Sequence, residues 1–329
     1  MRIAVVDCGT NTFNLLIADA DANGWVPVFQ NKLPVKLGAG GFDTKEILPS
    51  RFVRGIDALF CHYQNVLNYA CDKVVAVATS ALREASNGQA FLQVAHKVAS
   101  MEIHLISGDE EAELIHHGIT QTLPLGDEHC LMMDIGGGST EFIIANASGI
   151  VWKKSYLLGV SRLRDQVNAS DRLTQEELQR LDGILRYALS DLQEQIKKYD
   201  CQWLVGSSGS FDTILALYRQ HAGMKDVAVE AANDIDLSVF PTVHRWLLKS
   251  SYEERLVNPV IPLIRAEFMP LASSLIQFVL KMHPFTRLVH SSYSLKEGLM
   301  QKIVREEKWE EHEPTNSSTV NQKSERPDN

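Results

Sequence analysis

Two spacings of apolar residues divide the chain. "RIAVVD", "FNLLIAD" and "WVPVFQNKL", within residues 2–33, are short runs of β-formers joined by polar turns, one at Asn23-Gly24. They predict a three-stranded meander. From Ser50 to Ala70, Phe52, Ile56, Leu59, Tyr63, Val66 and Leu67 recur at helical spacing. "KVVAVAT" predicts a buried strand, "EIHLIS" a short one, and Gly108 to Gln121 a helix. A second meander opens near Asp127: "CLMMD", "EFIIAN" and "IVWKKSYL", with a turn at Ser148-Gly149. Thr174 to Tyr199 predicts one long helix, whose "TQEE" start fits a capping box. "QWLVG" predicts a strand and "SFDTILALYRQ" a helix. The remainder reads as mostly helical, ending at "SLKEGLMQKIVREE".

The two meanders are copies. Shifted by 127 positions, Asp7 falls on Asp134, Gly9 on Gly136, Thr12 on Ser139, Ile17 on Ile144 and Ala18 on Ala145. Such a repeat predicts two similar domains facing one another. The copies diverge at one polar position, where Asn14 of the first corresponds to Glu141 of the second.

Composition bounds the function. The 329 residues are 45% hydrophobic and 22% charged, enough to bury a core. No apolar run is long enough for a membrane span, and the N-terminus lacks a signal-peptide pattern. Five scattered cysteines form no CxxC pair, which fits reduced thiols and a cytoplasmic protein. Cys8 reads as a small buried filler, with a redox-sensitive thiol as the alternative. The net charge is −9, and from Glu306 onward seven acids stand against three bases. This balance predicts no nucleic-acid binding. A polyanionic substrate needs local positive groups and metal ions.

The candidate chemistry sits in the turns. In "MDIGGGSTEFII" the glycines follow a strand, and a returning strand comes next. A dinucleotide fingerprint or a P-loop needs a helix there, so both are excluded. What remains is a hairpin whose loop, Gly136, Gly137, Gly138, Ser139 and Thr140, offers backbone N–H groups and hydroxyls to phosphate. "DCGTNT" offers the same through Gly9, Thr10, Asn11 and Thr12. Asp134 and Glu141 flank the second loop, and paired carboxylates beside phosphate suit Mg²⁺. The plain alternative is two solvated hairpin-end acids. In "SGDEEAELIHHG", Ser107 and Glu110 form a capping box, which leaves Glu111 free for chemistry. His116 and His117 diverge on that helix and suit no shared metal. Arg83 begins a helix and can reach phosphate or form a surface ion pair. "VGSSGS" places Ser207 and Gly209 before a helix N-terminus, as an anion site or as a cap.

Five ordered motifs, "VVDCGTNTFNLLIAD", "ATSALREA", "ISGDEEAELIHHGI", "MDIGGGSTEFII" and "VGSSGSFDTI", resemble the exopolyphosphatase / guanosine pentaphosphate phosphohydrolase (Ppx/GppA) family of the actin-like ATPase superfamily. The resemblance runs from Arg2 to Val304. It implies an α/β protein of two ribonuclease-H-like domains, mixed sheets plus helices, around a central cleft. These would span residues 1–123 and 124–305, with the last helix packing back on the first domain and an acidic, disordered tail at 306–329.

The resemblance further implies Glu111 as the catalytic residue activating water, and Asp134 and Glu141 as metal ligands. Asp7, Gly9 to Thr12, Arg83 and Gly136 to Thr140 would then surround the phosphates. The implied function is Mg²⁺-dependent release of terminal orthophosphate from polyphosphate, or of the 5′ γ-phosphate from guanosine pentaphosphate. A homodimer is the implied assembly. Alternatives are an ATP-dependent kinase of the same superfamily and a non-catalytic polyphosphate or alarmone sensor. Three features depart from the family pattern. Ser210 stands where many members have Thr, Tyr293-Ser294 precede the last helix in place of a Gly, and the extra C-terminal helical domains of long members are missing.

Overall fold

The computed structural model describes residues 1–224 and 230–307; the expected disordered tail therefore lies outside the described residues from 308 on. The first meander forms as β1 (Arg2–Cys8), β2 (Thr12–Asp21) and β3 (Gly24–Pro34). Then come α1 (Pro49–Asn68), β4 (Lys73–Ala78), α2 (Ser80–Glu84), α3 (Gly88–Ala99), β5 (Ile103–Leu105) and α4 (Gly108–Thr122). The second half has β6 (Cys130–Ile135), β7 (Thr140–Asn146), β8 (Gly149–Tyr156), α5 (Val160–Val167), α6 (Gln175–Ala188), α7 (Ser190–Lys198), β9 (Trp203–Ser207) and α8 (Ser208–His221). It closes with β10 (Ala232–Ile235), α9 (Phe240–Lys249), α10 (Tyr252–Val257), α11 (Met269–Leu280), β11 (Arg287–Ser291) and α12 (Leu295–Glu306).

The strand orders are β3-β2-β1-β4-β5 and β10-β11-β9-β6-β7-β8. Each sheet is an antiparallel meander extended by parallel strands, so both are mixed. The repeat reaches the irregularities too. The β2–β3 register shifts between Ile17 and Ala18, and the β7–β8 register shifts between Ile144 and Ala145, the positions 127 residues on. A bulge bends a strand and increases its twist, so both meanders curl at the same point.

Two expectations are corrected. Residues 174–199 form two helices, α6 and α7, separated at Leu189 (φ −103°, ψ 18°). Leu185, Leu189, Leu192 and Ile196 remain buried through the break, so the apolar spacing carries no sign of it. The region after α8, read as mostly helical, holds the strands β10 and β11. At four and five residues they are too short for periodicity to distinguish from helix. β11 nevertheless sits inside the sheet, parallel to β9.

Three apolar layers build the molecule. α1, α2 and α3 cover the outer face of the first sheet, and α5 to α9 and α11 cover that of the second. Between the sheets, Val5, Leu16, Met132 and Ile143 share one core with α4 and α12. The two helices cross closely. A Cβ on Gly298 would overlap the carbonyl of Leu114, and one on Gly118 that of Ser294. Trp25 Nε1 on β3 donates to Gln121 Oε1 of α4 (3.2 Å) and Gln301 Oε1 of α12 (3.1 Å), and its ring stacks on Tyr293. The last helix thus packs back against the first meander. This packing presents the N-terminal ends of α4 and α12 to the space between the two hairpin loops. Among the described residues, no helix is long and apolar enough to cross a membrane.

Candidate active site

The two hairpin loops close by one shared turn. Gly9 N–H donates to Thr12 O at 3.0 Å, and Gly136 N–H to Ser139 O at 3.0 Å. The loops then meet tip to tip. A Cβ on Gly137 would lie 2.8 Å from the Asn11 amide, and one on Gly138 would lie 2.5 Å from Ser80 Oγ and 2.8 Å from Thr10 Oγ1. None of Gly136, Gly137 and Gly138 has positive φ. Gly137 and Gly138 are therefore required for space, because the facing loop and Ser80 occupy the volume a side chain would need, while Gly136 meets only Ser139 O of its own turn.

Beside the loops lies a cleft of about 190 Å³. Of the residues singled out in the sequence, Asp7, Gly9 to Thr12, Glu111, Asp134, Gly136 to Ser139 and Gly209 line it. Thr140, Glu141, Arg83 and Ser207 are not among the lining residues. Thr140 is fully buried and donates its hydroxyl to Leu158 O (3.0 Å). Ser207 Oγ donates to Asp134 Oδ2 at 2.8 Å, and it caps no helix N–H. At Gly209 the guanidinium of Arg265 donates to the carbonyl and takes the space of a Cβ. Neither residue thus acts as the simple cap or open anion site that the sequence suggested.

Glu111 enters from the first turn of α4. Ser107 accepts from Glu110 N–H and Glu110 reaches back to Ser107 N–H, so the capping box forms as expected and leaves Glu111 facing inward. Its carboxylate meets Arg83 Nη1 at 3.3 Å, while Arg83 also donates to Ile106 O. Burial, then the nearby charge of Glu141, push the Glu111 carboxyl well above its ordinary range; Arg83 offsets only part of this. A carboxyl with raised pKa in a cleft is a strong proton acceptor once ionised.

Asp134 and Glu141 stand opposite each other in the β6–β7 register. They are 7% and 1% exposed, which rules out solvated hairpin-end acids. Burial and the Asp134 charge push Glu141 up to about 7. Ser155 Oγ donates to Glu141 Oε1 (2.7 Å), and the Ser294 hydroxyl donates to Asp134 Oδ2. In the first copy, Asn14 Nδ2 donates to Asp7 Oδ2 at 2.8 Å, and burial pushes Asp7 up to about 6.

Three buried carboxyls of raised pKa, Asp7, Glu111 and Glu141, thus gather with Asp134 on one side of the cleft. Among the described residues, Asp134 Oδ1 receives no side-chain donor. Hydroxyl-oriented carboxylates with a free oxygen fit Mg²⁺, which takes one or two carboxylates and completes its shell with water and phosphate. Among the described residues no group of three or more His, Cys, Asp or Glu makes a cage for a metal, and this ion needs none.

Sequence reasoning missed the opposite wall: Lys32, Asp212, Arg265, Ser294, Lys296 and Glu297. Burial works against the Lys296 ammonium, but Glu297 beside it holds its pKa above the ordinary value. Asp212 accepts from His290 Nε2 (2.9 Å), and its carboxyl, despite burial, is held low by that bond and by Arg265. The one sequence signal was the Tyr293-Ser294 departure, which supplies the hydroxyl on Asp134.

Residues 16–307 match the model of the Ppx/GppA phosphatase family. The chain belongs to that family. A solved exopolyphosphatase from Cytophaga hutchinsonii is 33% identical and superposes with a TM-score of 0.90, covering 93% of this chain and 98% of that one. A Ppx/GppA member from Aquifex aeolicus, 21% identical, shares the fold with a TM-score of 0.76 over 93% of this chain and 98% of that chain. A curated Haemophilus influenzae protein, named as a candidate exopolyphosphatase, is 32% identical over 215 residues, 65% of this chain and 66% of that protein. The chain thus spans just under two-thirds of the length of that curated relative. The Ppx/GppA structures are of the two-domain actin-like ATPase type, and the duplicated mixed sheets place this chain with them.

Proposed function

We propose that this chain is a Mg²⁺-dependent phosphohydrolase that releases terminal orthophosphate from inorganic polyphosphate. The observation that carries the reading is Glu111, buried at the start of α4 beside Arg83 and set in a cleft lined by two amide-bearing loops. The names of the Cytophaga and Haemophilus relatives support it.

In this reading the terminal phosphate lies in the cleft beside the loops, where Thr10 to Thr12 and Gly137 to Ser139 donate to its oxygens. Phosphoryl transfer depends on positioning and charge neutralisation more than on covalent chemistry. Glu111 accepts a proton from water as that water forms a bond to the terminal phosphorus. The bridging P–O bond breaks, and the shortened chain leaves with the bridging oxygen. Asp134, with Glu141 behind it, would hold Mg²⁺, which neutralises charge on the phosphate oxygens. Lys32, Arg265 and Lys296 receive the next phosphates of the chain.

Guanosine pentaphosphate is the competing substrate. Among the lining residues the one aromatic ring is Phe268, which is 5% exposed and has Lys36 Nζ 5.5 Å from its centroid, so it offers guanine little open face to stack on. A side-by-side assay decides. Purified protein with Mg²⁺ is given polyphosphate of defined length, guanosine pentaphosphate, or ATP with a hydroxyl acceptor, and orthophosphate and ADP are measured. Orthophosphate from polyphosphate at the highest kcat/KM is expected. ADP formation that depends on the acceptor would instead establish a kinase, and binding without turnover of any substrate a sensor.

A further inference from the structure

The second glycine loop is held from behind, peptide by peptide. Val160 N–H donates to Gly136 O (3.0 Å), and Ser161 and Arg162 N–H donate to Gly137 O (2.9 and 3.2 Å). Arg162 Nε donates to Gly138 O (3.0 Å). Every peptide bond described is trans. In a trans peptide the carbonyl and the following N–H point in opposite directions. With three carbonyls turned toward α5, the N–H groups of Gly137, Gly138 and Ser139 point away from it, into the cleft.

The first loop is built the same way, but with backbone alone. Leu37 N–H donates to Thr10 O (2.7 Å), and Val35 and Lys36 N–H donate to Asn11 O (2.9 and 3.0 Å). Asn11 is the position 127 residues before Gly138. So where the first copy fixes this carbonyl with two main-chain donors, the second uses one side chain. That side chain is itself constrained. Arg162 is 9% exposed, its Nη2 donates to Glu84 Oε2 at 2.7 Å, and its guanidinium lies 4.4 Å from the Phe42 ring centroid. Glu84 also accepts from Ser80 Oγ (2.5 Å), and Ser80 is the residue facing Gly138.

We propose that Arg162 is a positioning residue for phosphoryl transfer. By fixing the Gly138 carbonyl it aims the Ser139 N–H at the phosphate, and by binding Glu84 it locks that loop to the helix that carries Arg83. This rests on the phosphohydrolase reading above. A lysine keeps the positive charge but has a single nitrogen, so it cannot serve Gly138 O and Glu84 in the fixed fork geometry of a guanidinium. A donor aimed at a transferring phosphoryl group acts mainly in the transition state, so its misalignment lowers kcat more than it raises KM.

The test uses the full chain with tripolyphosphate. Arg162→Lys should lower kcat at least about tenfold while KM stays within about twofold and the thermal midpoint is held. Added guanidinium ion should restore part of the kcat of Arg162→Ala. A kcat for Arg162→Lys within twofold of wild type would overturn the proposal. A second readout needs no turnover: the amide resonances of Ser139 and Gly137 on adding tripolyphosphate. Both should move in wild type, and Gly137 alone in Arg162→Lys, since Val160 still holds the Gly136 carbonyl. Unchanged Ser139 behaviour in Arg162→Lys would overturn the positioning role. A wild type that shows the expected shifts without releasing orthophosphate would instead overturn the hydrolase reading alone.

Discussion

Asp134 and Glu141 face each other as buried carboxyls at the position where the other sheet pairs Asp7 with Asn14. In the first copy the amide of Asn14 satisfies the acid. In the second the partner is another acid, and the repulsion, added to burial, raises Glu141 to about 7. The duplication thus acquired its acidic site through one divergent residue.

That raised pKa has a consequence for stability. Glu141 is at about 7 in the fold, against 4.5 for the free side chain. Its favourable contribution is complete below 4.5 and is lost as pH rises through 7. Without divalent cations, Glu141→Gln should therefore be more stable than wild type at pH 8, by up to about 3 kcal/mol, and nearly equal to it at pH 4. Urea unfolding across this range measures the difference. Equal pH dependence in the two proteins would show that Glu141 is not strained by its neighbour.

The tip-to-tip packing of the loops predicts a steric coupling. Gly138→Ala should lower kcat/KM at least about tenfold, because the new methyl meets Ser80 Oγ and Thr10 Oγ1. Adding Ser80→Ala removes one of these contacts and should return part of the loss. A double-mutant cycle reads this as non-additivity. Strictly additive effects would mean that the second loop does not pack against Ser80 of α2 in solution.

The crossing of α4 and α12 predicts a loss of stability. Gly298→Ala places a methyl against the Leu114 carbonyl. It should destabilise the fold by roughly 1–3 kcal/mol, as overpacked cores do. Denaturant unfolding checks this, and a stability equal to wild type would mean that the helices sit farther apart than described.

Much of this was legible in the sequence because it is local. Both hairpins and the capping boxes of α4 and α6 each lie within a few consecutive residues, where turn chemistry and strand period speak directly, and the repeat is seen by laying one such local pattern on the other. That Glu111 is left free by the cap followed from Glu110 being used in it; that it faces inward came only with the packing of α4. Lys32, Arg265 and Lys296 could not be read this way, since they come from three distant segments and meet only when the layers pack. Arg265 depends on Arg255, 1% exposed, whose Nε donates to Ala266 O and fixes the backbone there. Arg162 was hidden for the same reason: its carbonyl partner lies 24 residues away. Ser207 and Thr140 misled because a hydroxyl near a glycine loop says nothing about which way it points.

The central claim is that Glu111 activates water for attack on the terminal phosphorus. Hydrolysis of a defined polyphosphate in ¹⁸O-water tests it most directly, read by mass spectrometry of the products. Wild type should release orthophosphate carrying one ¹⁸O, with none in the shortened chain, and Glu111→Gln should slow that release by about 10²- to 10⁴-fold. Label in the shortened chain, or a Glu111→Gln protein as fast as wild type, would contradict the account.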